Sequence, residues 1–240
     1  MNAQADGPVA LVVAKVPVPG FAKTRLAATV GDAGAADLAA AALLDTIAAC
    51  HATGWPVVVA LTGEPAAAAR ADAITSALAG CTVLSQRGAG FGERLAAAHA
   101  DALAAMPNAT AVLQVGMDTP QLRAEHLTAA LELLKDHEAV LGPATDGGWW
   151  LLGLRDPWAA ACLTEVPMST DRNGAATVEA LQSRGLRVAA TVELLDVDDA
   201  DDAALVAGEH PGLRFSTGWR VLTAPQRLRL ARPPQEPGRH

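Results

Sequence analysis

An aspartate follows a strongly apolar stretch in the middle of the chain. Residues 110–116 (TAVLQVG) have the composition of a buried strand, and Asp118 comes two residues after the end of this run, in the segment GMDTPQL. A carboxylate placed just past a central strand can bind a magnesium or manganese ion that bridges phosphates. Asp118 is therefore a candidate metal ligand and catalytic residue. The structural alternative is that Asp118 caps the turn into a helix at residues 124–136.

A second acidic segment, LLDVDDADDAA, follows the last predicted strand. Asp196 and Asp198 are two residues apart, so in an extended segment their carboxylates project to the same side. Together with Asp118 they can complete a metal site. Alternatively, the segment is a solvated acidic turn in which Asp198 or Asp199 caps a helix at residues 201–208.

Positive charge clusters near the N-terminus, in the segment AKVPVPGFAKTRL. Lys15, Lys23 and Arg25 fall within eleven residues, and the prolines and Gly20 between them favour a rigid loop with close backbone approach. A Walker-type phosphate loop is excluded, because it needs glycine where Ala22 stands. The loop is predicted to hold a polyphosphate, and pairing of its cations with surface acids is the alternative. The candidate phosphate-binding residues are Ala14, Lys15, Pro19, Gly20, Lys23 and Arg25.

Glycines alternate in the segment RGAGFGERL. Gly88, Gly90 and Gly92 are spaced GxGxG rather than GxGxxG, and no well-placed acid closes the following strand, so a nicotinamide dinucleotide site is poorly supported. A glycine loop that opens a helix, with Arg87 beside it, either contacts a nucleotide or simply turns the chain. Gly88 and Gly90 are the nucleotide-binding candidates.

The segment GPATDGGWWLLGL joins a turn signal to two tryptophans. Asp146 followed by two glycines is a strong signal for a hairpin or turn, and Asp146 is also a candidate general base for a hydroxyl acceptor. Trp149 and Trp150 are neighbours in a predicted strand, so one is expected to face the core and the other a pocket. A sugar or a flat ring can stack in such a pocket.

Apolar, β-rich runs alternate with helix-forming segments along the chain. Strands are predicted at residues 8–14, 56–62, 82–85, 110–116, 138–142, 149–154 and 186–193. Helices are predicted at residues 33–51, 65–79, 93–105, 124–136, 174–184 and 201–208. This alternation indicates an α/β fold with a mainly parallel central sheet and helices on both faces. Ligands bind such sheets at the carboxyl ends of the strands, which is where the candidate residues lie.

Bulk composition limits the class of protein. A chain of 240 residues with a net charge of -8 suits one α/β domain and argues against a nucleic-acid-binding body. Residues 211–240 differ, because they hold six arginines against one acid together with several prolines. The predicted division is therefore a single domain at residues 1–210 and a basic Arg/Pro-rich C-terminal extension at residues 211–240, whose end is expected to be mobile.

Cysteine spacing and hydropathy add two expectations. The three cysteines are far apart and lack CxxC spacing, so neither a disulfide framework nor a zinc knuckle is supported. No stretch approaches 18 consecutive apolar residues, and the N-terminus has no basic region followed by an apolar signal core. We therefore expect a cytoplasmic protein without a membrane span.

Four segments occur in an order that resembles one known family. They are AKVPVPGFAKTRL, GMDTPQL, LGPATDGGWWLLGL and MSTDRNGAATVEAL. The chain resembles the bacterial GT-A-fold nucleotide-diphospho-sugar transferases, a family that includes the arsenosugar-biosynthesis glycosyltransferase-like proteins. It is more distantly similar to the molybdenum-cofactor and the phospholactate or phosphoenolpyruvate guanylyltransferases. The resemblance spans residues 8 to about 205 and leaves out the arginine-rich tail.

The resemblance implies a Rossmann-like GT-A sheet whose first strand and loop hold a nucleotide. It implies a magnesium or manganese ion on the aspartate of the G-x-D-x-P segment, Asp118, joined by a late D-x-D pair, Asp196 and Asp198. Asp199 stands where relatives often have threonine, which leaves the ligand set open. The implied acceptor side contains Gly147, Gly148, Trp149, Ser169 and Thr170.

Two reactions use the same parts. In a glycosyltransferase, an acceptor hydroxyl attacks the anomeric carbon of a nucleotide sugar, whereas in a nucleotidyltransferase an acceptor phosphate or carboxylate attacks the α-phosphorus of a nucleoside triphosphate. The resemblance and the tryptophan pair favour the first. A catalytically silent nucleotide-binding protein is the third interpretation. The expected partners are a nucleotide-sugar or triphosphate donor and a small-molecule acceptor, with a homo-oligomer left open.

Overall fold

Strands and helices mostly alternate along this computed structural model, which describes residues 6–168 and 170–230. The strands are β1 (Gly7–Lys15), β2 (Val57–Thr62), β3 (Thr82–Ser85), β4 (Ala109–Val115), β5 (Ala139–Pro143), β6 (Trp149–Leu154) and β7 (Val188–Ala190). The helices are α1 (Thr24–His51), α2 (Ala71–Leu78), α3 (Phe91–Ala105), α4 (Ala124–Leu133), α5 (Asn173–Gln182), α6 (Ala200–Glu209) and α7 (Arg214–Leu230). Two 3₁₀ helices lie at Pro65–Ala67 and Pro157–Glu165.

The strands form one sheet in the order β3-β2-β1-β4-β6-β5-β7. β3, β2, β1 and β4 pair in parallel, and β5 pairs in parallel with β7. Only β6 runs the other way in this sheet, antiparallel to both β4 and β5. The predicted mainly parallel sheet is therefore confirmed, with one reversed strand inserted near its middle.

Both faces of the sheet are covered, because alternate side chains of each strand point to opposite faces. Ala10 and Val12 of β1 pack with α1, α2 and α4 on one face. Val9 and Leu11 pack on the other face with α3, α5 and the Pro157–Glu165 helix. The central strand β1 is therefore apolar on both faces, as buried parallel strands are, whereas β3 at the edge of the sheet is partly exposed.

Helix α1 is the central helix of the first face. It starts at Thr24, before the predicted residue 33, and is interrupted at Gly31, whose φ of 75° and ψ of 165° are not helical. By length and composition α1 could cross a membrane, but 83% of its most apolar window is buried inside the protein. Its apolar side chains are thus used in the core.

Three other boundaries differ from the prediction. The helix predicted at residues 65–79 is split, because Arg70 adopts a left-handed conformation between the first 3₁₀ helix and α2. The last predicted strand, residues 186–193, pairs only over Val188–Ala190. The 3₁₀ helix Pro157–Glu165 has no counterpart in the prediction.

The chain continues past the predicted boundary at residue 210 with a helix that packs on the body. Phe215 and Trp219 of α7 are buried against α1 and α6. Asp45 of α1 accepts hydrogen bonds from the backbone N–H groups of Arg214 (3.2 Å) and Phe215 (2.9 Å) and from the Arg214 guanidinium (3.1 Å). A buried carboxylate thus caps α7. Residues 231–240, where the mobile end is expected, lie outside the described residues.

Candidate functional site

A cavity of about 910 Å³ opens at the carboxyl ends of β1, β2 and β4. It brings together residues that are far apart in sequence, which the parallel topology requires. The predicted site residues that line it are Ala14, Lys15, Lys23, Arg25, Gly88, Asp118, Trp149, Asp196 and Asp198. The acidic and basic candidates therefore share one cavity.

The reversed direction of β6 brings the start of this strand, with its two tryptophans, to the cavity. Because β6 is antiparallel to β4, its first residue, Trp149, lies at the edge where β4 ends. Trp149 is half-buried, while Trp150 is 2% exposed and donates its indole N–H to the Val192 carbonyl at 3.0 Å. Both tryptophans border the cavity, so Trp150 is the core tryptophan that the sequence predicts but is not separated from the pocket.

The basic loop between β1 and α1 is folded back on itself. The Lys15 ammonium donates to the Phe21 carbonyl, and the Val16 N–H donates to the Thr62 carbonyl at 2.8 Å. Lys23, immediately before α1, has φ 49° and ψ 55°, a left-handed conformation that side-chain-bearing residues rarely adopt. The loop therefore turns Lys23 into the cavity instead of toward solvent.

Lys23 is held between two of the predicted metal ligands. Its Nζ lies 2.8 Å from Asp118 Oδ1 and 3.0 Å from Asp198 Oδ1, and its side chain is 12% exposed. Burial disfavours the charged ammonium, but attraction and hydrogen bonding to Asp118 and then Asp198 outweigh it and raise the pKa of Lys23 above the usual value. Arg25 Nη1 is 3.8 Å from Asp198 Oδ2 and is mostly in solvent.

The third aspartate has a different environment. Burial raises the pKa of Asp196 to about 6, and the negative charges of Asp118 and Asp146 act in the same direction. A hydrogen bond from the Thr119 hydroxyl opposes this shift. The Val197 N–H donates a hydrogen bond to the Asp118 carbonyl at 2.9 Å, which joins the segment after β4 to the segment before α6.

The three aspartates do not form a ready site for a divalent ion. Two of them converge on the Lys23 ammonium, and the third accepts a hydroxyl hydrogen. Across residues 6–168 and 170–230, no three histidine, cysteine, aspartate or glutamate side chains are grouped so that they could hold a metal. The predicted set of Asp118, Asp196 and Asp198 is therefore not assembled as a ligand set in this arrangement, because lysine neutralises two members of it.

The structural alternatives for the acidic residues have separate outcomes. Asp199 caps α6, accepting from the Asp201 N–H at 2.9 Å and the Asp202 N–H at 3.1 Å, so the capping interpretation is confirmed there. Asp118 does not cap α4, whose first turn is preceded by Arg123. Asp118 is therefore free of that structural role and faces the cavity.

Several predicted residues lie away from the main cavity. Asp146 Oδ1 accepts the Gly148 N–H at 2.8 Å, which closes the predicted turn. Gly147 and Gly148 instead line a smaller cavity of about 420 Å³ with Asp171. Ser169 lies outside the described residues. The other predicted residues that do not line the main cavity are Pro19, Gly20, Gly90 and Thr170.

Known proteins resemble this chain in sequence and in fold. Residues 43–170 match the family described as "uncharacterized protein conserved in bacteria" (DUF2064). The chain belongs to this family. A 3-phospho-D-glycerate guanylyltransferase from Phenylobacterium zucineum (strain HLK1) is 35% identical, covering 80% of this chain and 87% of that protein.

Solved structures extend the likeness to the fold. A protein of Desulfovibrio desulfuricans G20 assigned as a nucleotide-diphospho-sugar transferase superposes with a TM-score of 0.75 at 26% identity, over 92% of this chain and 96% of the other. A 4-diphosphocytidyl-2C-methyl-D-erythritol synthase from Anaerococcus prevotii DSM 20548 reaches 0.52 at 10% identity, over 82% and 95%, which is a likeness of fold alone. The predicted family resemblance and fold are confirmed, and the DUF2064 chain is a transferase of nucleotidyl or sugar groups.

Sequence reasoning missed several residues that the DUF2064 fold brings to the cavity. Gln86, just after β3, donates both amide hydrogens, to the Ala14 carbonyl at 2.8 Å and the Ala60 carbonyl at 2.9 Å. Arg94 of α3 lies over the Phe91 ring, 5.6 Å from its centroid. Gln86 follows a short strand and was recognisable from its position at a strand end. Nothing local distinguished Arg94.

The glycine-rich loop serves mainly as a turn into α3. The Glu93 carboxylate accepts from the Ala89 N–H at 2.7 Å and the Gly90 N–H at 3.4 Å. These two donors at the start of the helix are thus already engaged by an acid. Gly88, with φ 127°, lines the cavity. Of the two glycine candidates, Gly88 is the one that a nucleotide can approach.

A buried histidine lies beneath the cavity floor. His99 of α3 is fully buried, and neither ring nitrogen has a hydrogen-bond partner among the described residues. The neighbouring Gln114 lines the cavity, and its Oε1 is likewise buried without a partner in that part of the chain. Burial lowers the pKa of His99 to about 4, against a smaller opposing effect of Gln114. His99 is therefore neutral at physiological pH.

His99 should make folding stability depend on acidity. Below the ordinary histidine pKa the unfolded chain binds a proton that the folded protein excludes until about pH 4, so stability falls as pH falls through this interval. We expect His99 by itself to lower the free energy of unfolding by about 2 kcal/mol between pH 7.5 and pH 5, while the raised pKa of Asp196 acts in the opposite direction. His99→Met should remove the His99 contribution, so the difference in unfolding free energy between wild type and variant, measured by urea denaturation, should change by about 2 kcal/mol between these two pH values. Exchange of the exposed His51 for Met is the control for replacing a histidine outside the core.

Proposed function

We propose that the protein transfers a guanylyl group from GTP to a phosphorylated small-molecule acceptor and releases pyrophosphate. The observation that carries the proposal is the Gln86 carboxamide at the edge of the cavity. Because both of its hydrogens are donated to main-chain carbonyls, the amide cannot be turned around without placing an oxygen against two oxygens. Its Oε1, which accepts no hydrogen bond from the described residues, is left as an acceptor for a ligand.

A hydrogen-bond acceptor at the position of Gln86 Oε1 favours guanine over adenine. The Watson–Crick edge of guanine presents two neighbouring donors, N1–H and the 2-amino group, and one oxygen can accept from both. Adenine presents an unprotonated N1 beside its amino group, which would face Oε1 with a lone pair. The guanylyltransferase of Phenylobacterium zucineum, at 35% identity, supports the same base.

Four cations line the cavity and suit a triphosphate. Lys15, Lys23, Arg25 and Arg94 contribute positive charge around its walls. In the proposed reaction, a phosphate oxygen of the acceptor attacks the α-phosphorus, a new P–O bond forms, and the bond to the β-phosphate oxygen breaks. Pyrophosphate leaves with that electron pair, and the cations stabilise its charge. An anionic acceptor carries no proton to remove, so no general base is required.

Sugar transfer is the second candidate function. It requires a base for the acceptor hydroxyl, and Asp146, the residue predicted for that role, is committed to a turn outside the main cavity. Asp196 favours this alternative, since it lines the cavity and burial raises its pKa to about 6. A carboxylate of this kind can accept a proton near neutral pH.

The two reactions are separated by their products. Incubation with GTP and 3-phospho-D-glycerate in Mg²⁺ buffer should release pyrophosphate and form a guanylylated acid detectable by mass spectrometry. Nucleotide sugars should give no product with the same acceptor. Transfer of sugar from a nucleotide sugar, with no pyrophosphate from any triphosphate, would reject the proposal. Nucleotide binding without any turnover would identify a silent binding protein.

Gln86 should set the preference for the base. We expect Gln86→Met to lower kcat/KM for GTP about 10- to 100-fold, because a buried donor pair on guanine loses its partner. Activity with ATP should change little. Gln182→Met, at an exposed glutamine outside the cavity, is the matched control. An equal loss for both triphosphates would mean that Gln86 only braces β1 and β2.

A further inference from the structure

The Lys23 ammonium lies between the carboxylates of Asp118 and Asp198 in the wall of the cavity. Its ammonium is within 3.0 Å of one oxygen of Asp118 and one of Asp198, and these residues come from the end of β4 and the segment before α6. Carboxylate oxygens are also the ligands that magnesium and manganese prefer. One ammonium and one divalent ion therefore require the same oxygens.

We propose that Lys23 is an internal competitor of a divalent cation: its ammonium occupies the position between Asp118 and Asp198 in the ligand-free protein, and a divalent ion binds there only after donor phosphates draw Lys23 away. The part of this proposal that concerns the donor rests on the proposed function. Competition between Lys23 and the metal ion rests on the ion-pair geometry alone.

Other cations do not replace Lys23 at this position. Arg25 is 3.8 Å from the other oxygen of Asp198, and its side chain is 77% exposed. Lys15 donates to the Phe21 carbonyl and has no carboxylate within ion-pair distance among the described residues. Removal of the Lys23 ammonium would leave Asp118 without an ion-pair partner among the described residues and Asp198 with only the exposed Arg25, which favours uptake of a divalent ion.

The backbone of Lys23 suits a residue that changes partners. Its left-handed conformation is sparsely populated for residues other than glycine, and it lies between the folded-back loop and the first turn of α1. Phosphate oxygens entering the cavity offer the ammonium a partner of higher charge than a carboxylate. Donor and metal ion then bind with positive coupling, and each raises the affinity for the other by the same factor.

Titration with Mn²⁺ alone tests the competition. Free Mn²⁺ is measured by its electron paramagnetic resonance signal in nucleotide-free protein. We expect Lys23→Met to bind Mn²⁺ about tenfold more tightly than the wild type, because a charge within 3.0 Å of two ligands is removed. Lys23→Gln should behave in the same way, while Lys23→Arg, which keeps the charge, should remain weak.

Lys15→Met is the matched control, since it removes one positive charge from the same cavity without freeing a carboxylate. It should change the Mn²⁺ affinity about twofold at most, through the general field. Equal tightening by Lys15→Met and Lys23→Met, or wild-type affinity already as high as that of Lys23→Met, would overturn the proposal. Thermal unfolding of each variant confirms that a folded protein is titrated.

A second titration tests the donor. GTP should tighten Mn²⁺ binding to the wild type beyond the Mn²⁺ that free GTP itself binds, and this gain should be absent in Lys23→Met. A gain of equal size in both proteins would refute the role of Lys23 in the coupling. If GTP does not bind at all, the proposed function fails, and the nucleotide-free titration still decides whether lysine and metal compete.

Discussion

Lys23→Met is expected to lower kcat/KM for the nucleotide donor by about 10²- to 10³-fold, the usual effect of removing one preorganised charge that acts on the transition state. Its ammonium is buried in the cavity wall, where attraction is little screened by water. The same substitution should tighten Mn²⁺ binding. A variant that loses turnover but binds Mn²⁺ more tightly cannot simply be unfolded.

Steady-state kinetics with varied donor gives the measurement. Arg87→Met is the control, because Arg87 belongs to the neighbouring glycine-rich segment but pairs with Asp101 at 2.8 Å and does not line the cavity. That variant should keep its activity within about twofold, as expected for an exposed ion pair. Wild-type kcat/KM in Lys23→Met would remove Lys23 from the donor site.

Gly92→Ala should destabilise the protein by about 2–4 kcal/mol, although alanine is the better helix former. A Cβ at Gly92 would lie 2.1 Å from the Leu163 carbonyl oxygen, a backbone atom of the Pro157–Glu165 helix. That separation is well inside van der Waals contact, so α3 would have to move away. Because α3 carries Arg94 and Leu95 to the cavity, activity should fall with stability.

Urea denaturation measures the effect, and Gly208→Ala is the comparison. Gly208 is also helical, in α6, and a Cβ there meets nothing within 4 Å. Only the higher helix propensity of alanine then acts at this position, and Gly208→Ala should raise the free energy of unfolding by about 0.5 kcal/mol. If Gly92→Ala lowers and Gly208→Ala raises the free energy of unfolding, the loss comes from the contact with Leu163. Equal changes in the free energy of unfolding for both variants would contradict that assignment.

Much of the architecture could be predicted because strands in this chain are apolar on both faces. The runs PVALVVA and TAVLQV can only be buried, and their carboxyl ends had to meet at one edge. Lys23 and Asp118 were therefore expected in one cavity. What spacing could not predict is that they contact each other, since 95 residues separate them and the left-handed turn at Lys23 has no local signal.

The remaining differences come from contacts between distant elements. The Asp-Gly turn signal between two strands with no helix predicted between them allowed a hairpin, and the structure has one: β6 runs antiparallel to β5, so Trp149 reaches the cavity from the start of its strand. The arginine content of residues 211–240 suggested an extension, but Phe215 and Trp219 make the first part of that segment a core helix. A few apolar residues outweighed the bulk charge of the segment.

The capping of α7 by Asp45 has a consequence for the order of folding during synthesis. The hydrogen-bond partners are 169 and 170 residues apart, so α1 leaves the ribosome long before the N–H groups that satisfy its buried carboxylate exist. Until then the side of α1 that receives Phe215 and Trp219 is uncovered. Contacts of such long range close slowly, and a nascent chain carrying an open apolar helix face is a natural client for chaperones.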